Sequence, residues 1–321
     1  MKKKLLGVIL TAGLLAGVLA GCGQTEAQQT AAETQKDATE AAEAAETEAV
    51  EETAEATADE AQEALASAQA RSLEDIKADG KLVIGVFSDK NPFGYVDANG
   101  DVQGYDVYFA KRLALDLFGS EDSVEFVYVE AASRVEYLKS AKVDIILANF
   151  TVTEERSEQV DFALPYMKVA LGVVSPESNL ITDVEQLKEK TLIVVKGTTA
   201  ETYFQENYPE IKLLKFDEYQ EAYDALLDGR GDAFSTDNTE VLAWALQNEG
   251  FAVGIESIGN LDTIAPAVQK GNTELLNWIN EEIEGLAEEQ FFHKDFEETL
   301  KPVYGDSVAA DSLVVEGGVV E

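Results

Sequence analysis

Blocks of apolar and polar residues alternate along most of the chain. The short apolar runs KLVIGVF (81–87), VEFVYV (124–129) and TLIVV (191–195) have the length and composition of buried strands. Between the first two lies GYDVYFAKRLALDLFG (104–119), whose apolar residues recur near helical spacing. Strands that alternate with helices in this way predict an α/β fold with largely parallel sheets.

The alternation continues towards the C-terminus. The other predicted elements, in chain order, are the helix SRVEYLKSA, the strand VDIILANF (143–150), a short helix EERSEQV with Thr153 as N-cap, the helix TTAETYFQENY, the strand KLLKF, the helix YQEAYDALLDG, the strand DAFST and the helix DNTEVLAWALQN. In open parallel sheets, ligands bind beyond the carboxyl ends of the strands. The residues that follow each strand are therefore candidates for a site.

The junction ANFTVTEER (148–156) carries Asn149, Thr151 and Arg156 directly after a predicted buried strand. An arginine beside glutamates usually forms a surface ion pair, and that interpretation stays open for Arg156 taken alone. A guanidinium can also bind a carboxylate through two parallel hydrogen bonds.

Two further junctions have the spacing of a capping box: Thr198 with Glu201 in VVKGTTAE, and Asp237 with Glu240 in FSTDNTE. Each is explained by capping alone, although the first N–H groups of a helix also form an anion site. Together the three junctions suit one ligand. An arginine with N–H donors can hold a carboxylate while an aspartate holds an ammonium, and every free amino acid carries both charges.

Composition narrows the possible partners. The chain has 24 Lys plus Arg against 62 Asp plus Glu, a formal net charge of -38, which argues against nucleic acid or anionic lipid as a partner of the folded part. Its single cysteine, Cys22, excludes an intramolecular disulfide, a C-x-x-C redox motif and a Cys-rich zinc site. We expect no metal and no cofactor.

The N-terminal segment combines the basic MKKK, the apolar LLGVILTAGLLAGVLA and the small residues that precede Cys22. It resembles the lipobox of bacterial lipoproteins. The resemblance implies a signal peptide over residues 1–21 and acyl chains, such as palmitate, on Cys22. These would anchor the exported protein to the extracellular face of the cell membrane. A transmembrane anchor is the alternative, but the apolar run is short for a spanning helix.

Residues 22–70 are dominated by Ala, Glu, Thr and Gln, and 23–70 contain 13 acidic residues and one lysine. Such a segment has no apolar stripe to bury, so we expect a disordered acidic tether that extends by self-repulsion. The folded region then begins near Arg71.

From about residue 73 to the C-terminus, the chain resembles extracellular solute-binding proteins of the polar-amino-acid class (family 3), the receptors of ABC importers. The resemblance is carried by KLVIGVFSDKNPFGYVDANGDVQGYDVYFAKRLA, by VDIILANFTVTEERSEQVDFALPY, by VVKGTTAETYF and by GRGDAFSTDN. One departure is Tyr108, where the family often has a second acid.

The resemblance implies a two-lobed fold of the type II periplasmic-binding-protein kind. Lobe 1 would comprise residues 71–168 and 264–321, and lobe 2 residues 169–263, with YMKVALGVV and DTIAPAVQ as the connecting strands. A monomer would close its lobes on an amino acid by a hinge motion and deliver the ligand to a membrane permease.

The resemblance also implies the roles of the residues that hold the charges of the ligand. Arg156 would bind the α-carboxylate, aided by Thr151 and by the backbone N–H of Thr199. Asp237 would bind the α-amino group.

The remaining predicted site residues concern the side chain of the ligand. Asn149 and Phe150 would line the site, and Phe87 and Tyr95 would shape a pocket that suits a small neutral side chain. VFSDKNPFGY and ANFTVTEER look closest to cysteine-binding members, so cysteine is favoured. Arg134 could extend the site if it faced the cleft, but a surface position on its helix is the preferred interpretation.

Two other functions stay open. A few relatives with this scaffold are dehydratases, and catalysis would need an acid or base in the cleft. The only histidine, His293, reads as a surface or packing residue, and no G-x-S-x-G, P-loop or H-E-x-x-H motif occurs. An adhesin or sensor without a small ligand would have no cleft. The tail DSLVVEGGVVE could add an edge strand or cover the first lobe.

Overall fold

The computed structural model describes residues 68–320. The expected signal peptide, the acylation site Cys22 and all but the last residues of the tether lie outside the described residues. Within 68–320, no helix is long and apolar enough to cross a membrane. No group of three or more His, Cys, Asp or Glu side chains in this part is arranged to hold a metal ion.

Strands and helices alternate through most of the described chain. The strands are β1 (Leu82–Val86), β2 (Asp89–Lys90), β3 (Gly94–Val96), β4 (Val102–Gln103), β5 (Val124–Tyr128), β6 (Ile145–Ile146), β7 (Val160–Phe162), β8 (Met167–Pro176), β9 (Thr191–Val195), β10 (Lys212–Phe216), β11 (Ala233–Asp237), β12 (Phe251–Ile264) and β13 (Ala267–Gln269). The α-helices are α1 (Leu73–Asp79), α2 (Tyr105–Phe118), α3 (Arg134–Lys139), α4 (Glu154–Gln159), α5 (Thr199–Asn207), α6 (Tyr219–Leu227), α7 (Asn238–Gln247), α8 (Thr273–Leu286), α9 (Phe291–Asp295), α10 (Lys301–Tyr304) and α11 (Ala310–Leu313). A π-helical turn, Phe296–Leu300, joins α9 to α10.

Two five-stranded sheets divide this α/β fold into two lobes. The first has the order β5-β1-β6-β13-β7, and the second β10-β9-β11-β8-β12. β1 runs parallel to β5 and β6, and β9 runs parallel to β10 and β11. β13 is antiparallel to its neighbours, and so is β8. The expectation of largely parallel sheets is therefore wrong at β13 and β8, each the second strand from one edge of its sheet, because the chain returns between lobes in the opposite direction.

The chain enters the second lobe along β8 and leaves it along β12. These strands pair antiparallel from Phe251 opposite Pro176 to Ile264 opposite Met167. The register shifts at three places along β12, and each shift leaves residues of β12 without a partner on β8.

Two local predictions are wrong. The strand predicted over 143–150 pairs with its neighbours only at Ile145–Ile146, because the backbone turns into the left-handed region at Asn149, with φ of 45°. The segment after β1 was not expected to pair, yet β2, β3 and β4 form a separate three-stranded sheet.

Apolar burial explains how the first lobe holds the C-terminal tail. The core of this lobe contains aromatic rings from α2, from α9 and from Tyr166, which directly precedes β8. Within it, the rings of Phe109 and Phe292 meet edge to face at 4.9 Å. Val314 bridges to Met167, and Val315 N donates to Tyr166 O at 3.1 Å. The tail thus covers the first lobe and pairs only at a single bridge.

Candidate ligand-binding site

The predicted site residues lie where strands end. Phe87 follows β1, Asn149 and Phe150 follow β6, Thr199 begins the helix after β9, and Asp237 is the last residue of β11. β1 and β6 belong to the first lobe, and β9 and β11 to the second. The carboxyl ends of the two sheets therefore meet at one crevice between the lobes.

Arg156 reaches across this crevice. It lies in the first turn of α4, whose N-cap Thr153 accepts a hydrogen bond from Arg156 N at 3.2 Å. Arg156 Nη1 donates to Thr151 O at 2.7 Å, and Nη2 donates to Gly197 O of the second lobe at 2.9 Å. Burial, and then the like charge of Arg134, lower the pKa of Arg156 to about 9. Among residues 68–320, no carboxylate forms an ion pair with this guanidinium.

Arg134 lies in the same crevice, so the preferred surface interpretation is wrong. Its side chain is buried, with 3% exposure. Nε donates to Ala131 O at 2.9 Å, Nη1 to Ala148 O at 3.0 Å, and Nη2 to Gly197 O at 3.2 Å. The helix carrying Arg134 is short, and packing against β6 and β7 turns its first residue inward. Burial lowers the pKa of Arg134, although a guanidinium stays protonated.

Both guanidiniums also stack against the ring of Phe150, Arg134 at 4.4 Å and Arg156 at 4.7 Å from its centre. Every hydrogen bond that their side chains donate within residues 68–320 ends on a backbone carbonyl. A carboxylate is a stronger acceptor for a guanidinium than a carbonyl is. The pair is therefore equipped to bind an anionic group.

The backbone opposite the two arginines supplies N–H donors. Thr199 is the first residue of α5, so its N–H has no partner within the helix. Thr198 caps the helix through Glu201 N at 3.2 Å, but the Glu201 carboxylate accepts from Gly197 N at 2.7 Å and so does not complete the predicted box. Gly197 has φ of 72°, and a Cβ there would lie 2.4 Å from Cα of Ala132 in the first lobe. The lobes touch here backbone to backbone.

Asp237 does not cap α7, which corrects the second predicted capping box. Its carboxylate is buried, with 6% exposure. Asp237 Oδ2 accepts from Asn149 Nδ2 at 3.4 Å and from Lys90 Nζ at 3.1 Å. The aspartate of the second lobe is therefore aimed at the first lobe instead of at its own helix.

Asn149 is held by a residue that the sequence analysis did not assign. Its backbone N donates to Asp106 Oδ2 at 2.7 Å, and Tyr166 Oη donates to Asp106 Oδ1 at 2.6 Å. Burial raises the pKa of Asp106 to about 6, although both hydrogen bonds oppose the increase. Asn149 Oδ1 is buried and accepts no hydrogen bond from residues 68–320. It is an unused acceptor beside Asp237.

Lys90 is the other functional residue that the sequence analysis missed. It is 1% exposed and lies between Asp237 and Glu240, with Nζ 2.9 Å from Glu240 Oε2. Burial lowers its pKa, but the neighbouring Tyr219 and Asp237 outweigh burial and raise it above the ordinary value. A lysine in the polar run SDKN is normally solvated, so the sequence contained no signal of this position.

The remaining predicted residues divide into two groups. Phe87 and Thr151 are buried at the crevice; the Phe87 ring meets Tyr219 edge to face at 5.3 Å, and Thr151 bridges to Ile264. Tyr95 is half-buried in β3 and pairs there with Asp89 and Gln103. No hydrogen bond or ring contact within 68–320 joins the Tyr95 side chain to the other predicted residues.

Two clefts lie along the crevice. One of about 640 Å³ is lined by Arg156, Thr199, Leu171, Tyr203 and Asp262, among others. The other, of about 230 Å³, lies against residues that include Phe87, Tyr128, Tyr137, Glu218 and Tyr219.

Comparisons with known proteins agree with this architecture. The family model of the bacterial extracellular solute-binding proteins, family 3, matches residues 82–298. The cysteine-binding protein from Campylobacter jejuni is 58% identical, with a TM-score of 0.75 over 76% of this chain and 98% of its own. The solute receptor for L-cysteine of Neisseria gonorrhoeae is 57% identical, with a TM-score of 0.76 over 77% of this chain and 100% of its own.

More distant relatives bind other ligands. The ABC transporter glutamine-binding protein GlnH of Bacillus subtilis is 31% identical over 244 residues, which are 74% of this chain and 88% of the relative. The ancestral amino acid-binding protein AncCDT-1, described as a precursor of cyclohexadienyl dehydratase, is 31% identical with a TM-score of 0.65, over 71% of this chain and 98% of its own.

Proposed function

This chain belongs to the bacterial extracellular solute-binding proteins of family 3, and on that premise we propose that it captures cysteine between its two lobes. It is a substrate-binding receptor of the ABC amino-acid-transporter type, as its relatives are. Two questions then follow from the geometry: how the charges of the amino acid are held, and why its side chain is small.

A single observation carries the proposal. Two guanidiniums that pair with no carboxylate of residues 68–320 share the crevice between the lobes with the buried Asp237. A zwitterion has one negative and one positive group separated by a single carbon. It can satisfy both ends of the crevice at once, whereas a simple anion or cation satisfies only one.

The negative group of the ligand, its α-carboxylate, is bound by Arg156, with Thr151 and the N–H of Thr199 as further donors. Arg134 supplies a second guanidinium beside it. Charge-assisted hydrogen bonds of this kind contribute about 1.5 to 3 kcal/mol each. A few of them supply most of the roughly 8 kcal/mol that a micromolar complex requires.

The positive group of the ligand, its α-ammonium, is bound by Asp237. Asn149 Oδ1 provides a second acceptor, because its amide nitrogen already donates to Asp237 and fixes which way the oxygen points. Asp106 keeps this arrangement in place through the backbone N–H of Asn149.

The side chain of the ligand is small and neutral. Phe87, Phe150 and Tyr219 surround the crevice with rings, and none of the three carries a charge that would pair with a charged ligand side chain. A thiol suits such a site, because sulfur contacts the edges of aromatic rings favourably. The cysteine-binding relatives from Campylobacter and Neisseria support the same ligand. We propose that Tyr95 also contributes to this pocket.

The test is a thermal-shift and calorimetric screen of the purified protein against the twenty amino acids and cystine, under reducing and non-reducing conditions. A ligand that binds the native state alone raises the melting temperature. Cysteine should give the largest shift. The proposal fails for cysteine if another amino acid exceeds it, and it fails as a whole if none binds.

The setting of the receptor is part of the proposal. A signal peptide (1–21), an acylated Cys22 and an acidic tether would hold a monomeric binding protein on the extracellular face of the cell membrane, near its permease. We also propose lobe boundaries at residues 71–168 with 264–321 for the first lobe and 169–263 for the second. Incorporation of labelled palmitate that is lost in Cys22→Ala would test the anchor.

A dehydratase is the second candidate, favoured by the likeness to AncCDT-1. We propose that this chain binds without turnover. The buried carboxylates of the crevice each have fixed partners. Asp106 accepts hydrogen bonds from Tyr166 and Asn149, and Asp237 accepts them from Lys90 and Asn149. Glu240 accepts a hydrogen bond from Tyr223 and forms an ion pair with Lys90. Mass spectrometry of the bound ligand after prolonged incubation should recover it unchanged, and any dehydrated product would contradict this.

A further inference from the structure

Building on the proposed function, we propose that Lys90 determines ligand specificity. Its ammonium occupies the position that a cationic side chain of a ligand would take. The crevice therefore admits neutral amino acids and excludes arginine and lysine.

The surroundings of Lys90 are those of a bound cation. Its Nζ lies 3.1 Å from Asp237 Oδ2, 2.9 Å from Glu240 Oε2 and 3.1 Å from Tyr219 Oη. It also lies 4.5 Å from the ring centre of Tyr219 and 5.4 Å from that of Phe87. Two carboxylates and several ring faces make a site that would otherwise suit the ammonium or guanidinium of a ligand.

The net charge of these three side chains predicts which ligands the crevice excludes. Asp237 and Glu240 together carry two negative charges, and Lys90 cancels one of them. One negative charge remains, which matches the single ammonium of a neutral amino acid. A ligand with a second cation would bring an extra positive charge into a buried site, where an unpaired charge is costly. Without Lys90, the two carboxylates would match the two cationic groups of arginine or lysine.

Lys90 also joins the lobes, and this purely structural role must be separated from specificity. It comes from β2 of the first lobe, whereas Asp237, Glu240 and Tyr219 belong to the second. Its neighbour Asp89 makes a comparable contact, since Asp89 Oδ2 accepts from Tyr219 N at 2.7 Å at the start of α6. Asp89 does not contact the pair of carboxylates through any hydrogen bond or ion pair within 68–320. Asp89→Ala is therefore a matched control for lost contact between the lobes.

The experiment compares calorimetric affinities for cysteine, arginine and lysine in five proteins. These are the wild type, Lys90→Ala, Glu240→Gln, the double variant Lys90→Ala/Glu240→Gln, and Asp89→Ala, each checked for folding by circular dichroism. We expect Lys90→Ala to raise the ratio of arginine to cysteine affinity on the order of 100-fold, the size expected for one desolvated charge pair. Glu240→Gln alone should weaken cysteine binding, and the double variant should restore it without gaining arginine. Asp89→Ala should leave the ratio unchanged.

Each outcome decides between the two roles. The proposal is overturned if the Lys90→Ala variant folds but does not bind arginine or lysine more tightly than the wild type does. It is also overturned if Asp89→Ala changes the ratio of arginine to cysteine affinity. If Lys90→Ala does not fold, Glu240→Gln and the double variant still decide. Compensation supports the charge argument, and a double variant weaker than Glu240→Gln overturns it. The affinity of the wild type for cysteine is measured on its own, so failure of the proposed function is distinguished from failure of this inference.

Discussion

Gly197 O accepts hydrogen bonds from two guanidiniums, those of Arg134 and Arg156. Two like charges converge on one carbonyl dipole, and the pKa of Arg156 falls to about 9 because burial and Arg134 both disfavour its charge. An anion placed between them would relieve both effects. This makes the arginines the residues at which truncation should affect ligand binding most and folding least.

Arg156→Ala should weaken ligand binding strongly and leave the fold intact. Truncating one partner of a buried charge pair costs about 2 to 5 kcal/mol, which corresponds to a loss of roughly 30-fold to several thousand-fold. Calorimetry with cysteine measures the loss. Arg230→Ala is the control, since Arg230 is exposed and pairs with Asp228 away from the crevice. Near-normal affinity in Arg156→Ala would remove this residue from the site.

Asp106 gives a pH dependence of known sign. Its pKa is raised from 3.8 to about 6, so between these values the folded protein holds a proton that the unfolded chain has released. Its contribution to the free energy of unfolding therefore falls as pH rises from about 4 to 6. Asp106→Asn should become more stable relative to the wild type by on the order of 3 kcal/mol between pH 4 and pH 7, because one pKa unit corresponds to about 1.4 kcal/mol. Urea unfolding of both proteins at each pH measures it, and parallel pH profiles would contradict it.

Sequence patterns predicted candidate site residues only where a polar residue came at or soon after the end of a strand. Arg156, Asn149 and Asp237 were predicted in this way, because strand ends carry ligands in such folds. Lys90 and Arg134 were not placed, because their positions depend on which elements pack against them. A short helix and a two-residue strand have no periodicity from which an inward direction could be predicted.

Among the elements, the junction of β9 with α5 brings the two lobes into contact. Predicted helices and strands matched the structure where apolar runs were long, as in α2 and β9. The pairing of β2 with β3 was not predictable, because those strands are too short to show alternation. The turn at Gly197 was visible as a strand break, but its contact with Ala132 depends on the distant first lobe.

Gly197→Ala should weaken ligand binding by about tenfold or more, because its Cβ would collide with the backbone of Ala132 and hold the lobes apart. Gly229→Ala is the matched control. Gly229 also has positive φ, at 69°, but has no neighbouring atoms where a Cβ would lie. Both variants should lose about 1 kcal/mol of stability from backbone strain. Equal affinities in the two variants would show that the contact at Ala132 is unimportant.

His293 attaches the C-terminal tail to α9. Its Nδ1 lies 2.8 Å from Glu316 Oε1 and its Nε2 2.9 Å from Asp311 Oδ1. Burial lowers its pKa, but the two carboxylates outweigh this and raise it above 6.5. The stabilisation is therefore complete below pH 6.5 and is lost as pH rises through the folded-state pKa.

His293→Gln keeps a hydrogen-bonding side chain but cannot become charged. The wild type should be more stable than this variant at pH 6, and the difference should disappear by about pH 9. Denaturant unfolding at both values measures it. A difference that stays constant with pH would show that packing, and not charge, holds the tail.

For the whole molecule, the dipeptide Asp89-Lys90 connects the lobes at two helix starts. Asp89 accepts from the first N–H groups of α6, and Lys90 contacts carboxylates at the start of α7. Both contacts would break if the lobes separated. The balance between open and closed forms should therefore be sensitive to this dipeptide.

Asp89→Ala should shift the ligand-free protein towards an open form. Small-angle scattering should give a larger radius of gyration than for the wild type without ligand, and saturating cysteine should remove the difference. Equal radii without ligand would show that this contact does not influence closure.

The two-lobed architecture was the most predictable property of the whole molecule, since alternation and family resemblance agreed. The reversed direction of β13 and β8 was less predictable, because the direction of a strand depends on how the chain returns to the sheet.

The irregular pairing of β12 with β8 has a mechanical consequence. A ladder with three register shifts contains residues of β12 that have no partner on β8, so bending between the lobes would disturb few paired residues. The connecting strands β8 and β12 would then bend easily. The rate at which an amino acid is released would depend on its contacts in the crevice and not on the stiffness of the strands that connect the lobes.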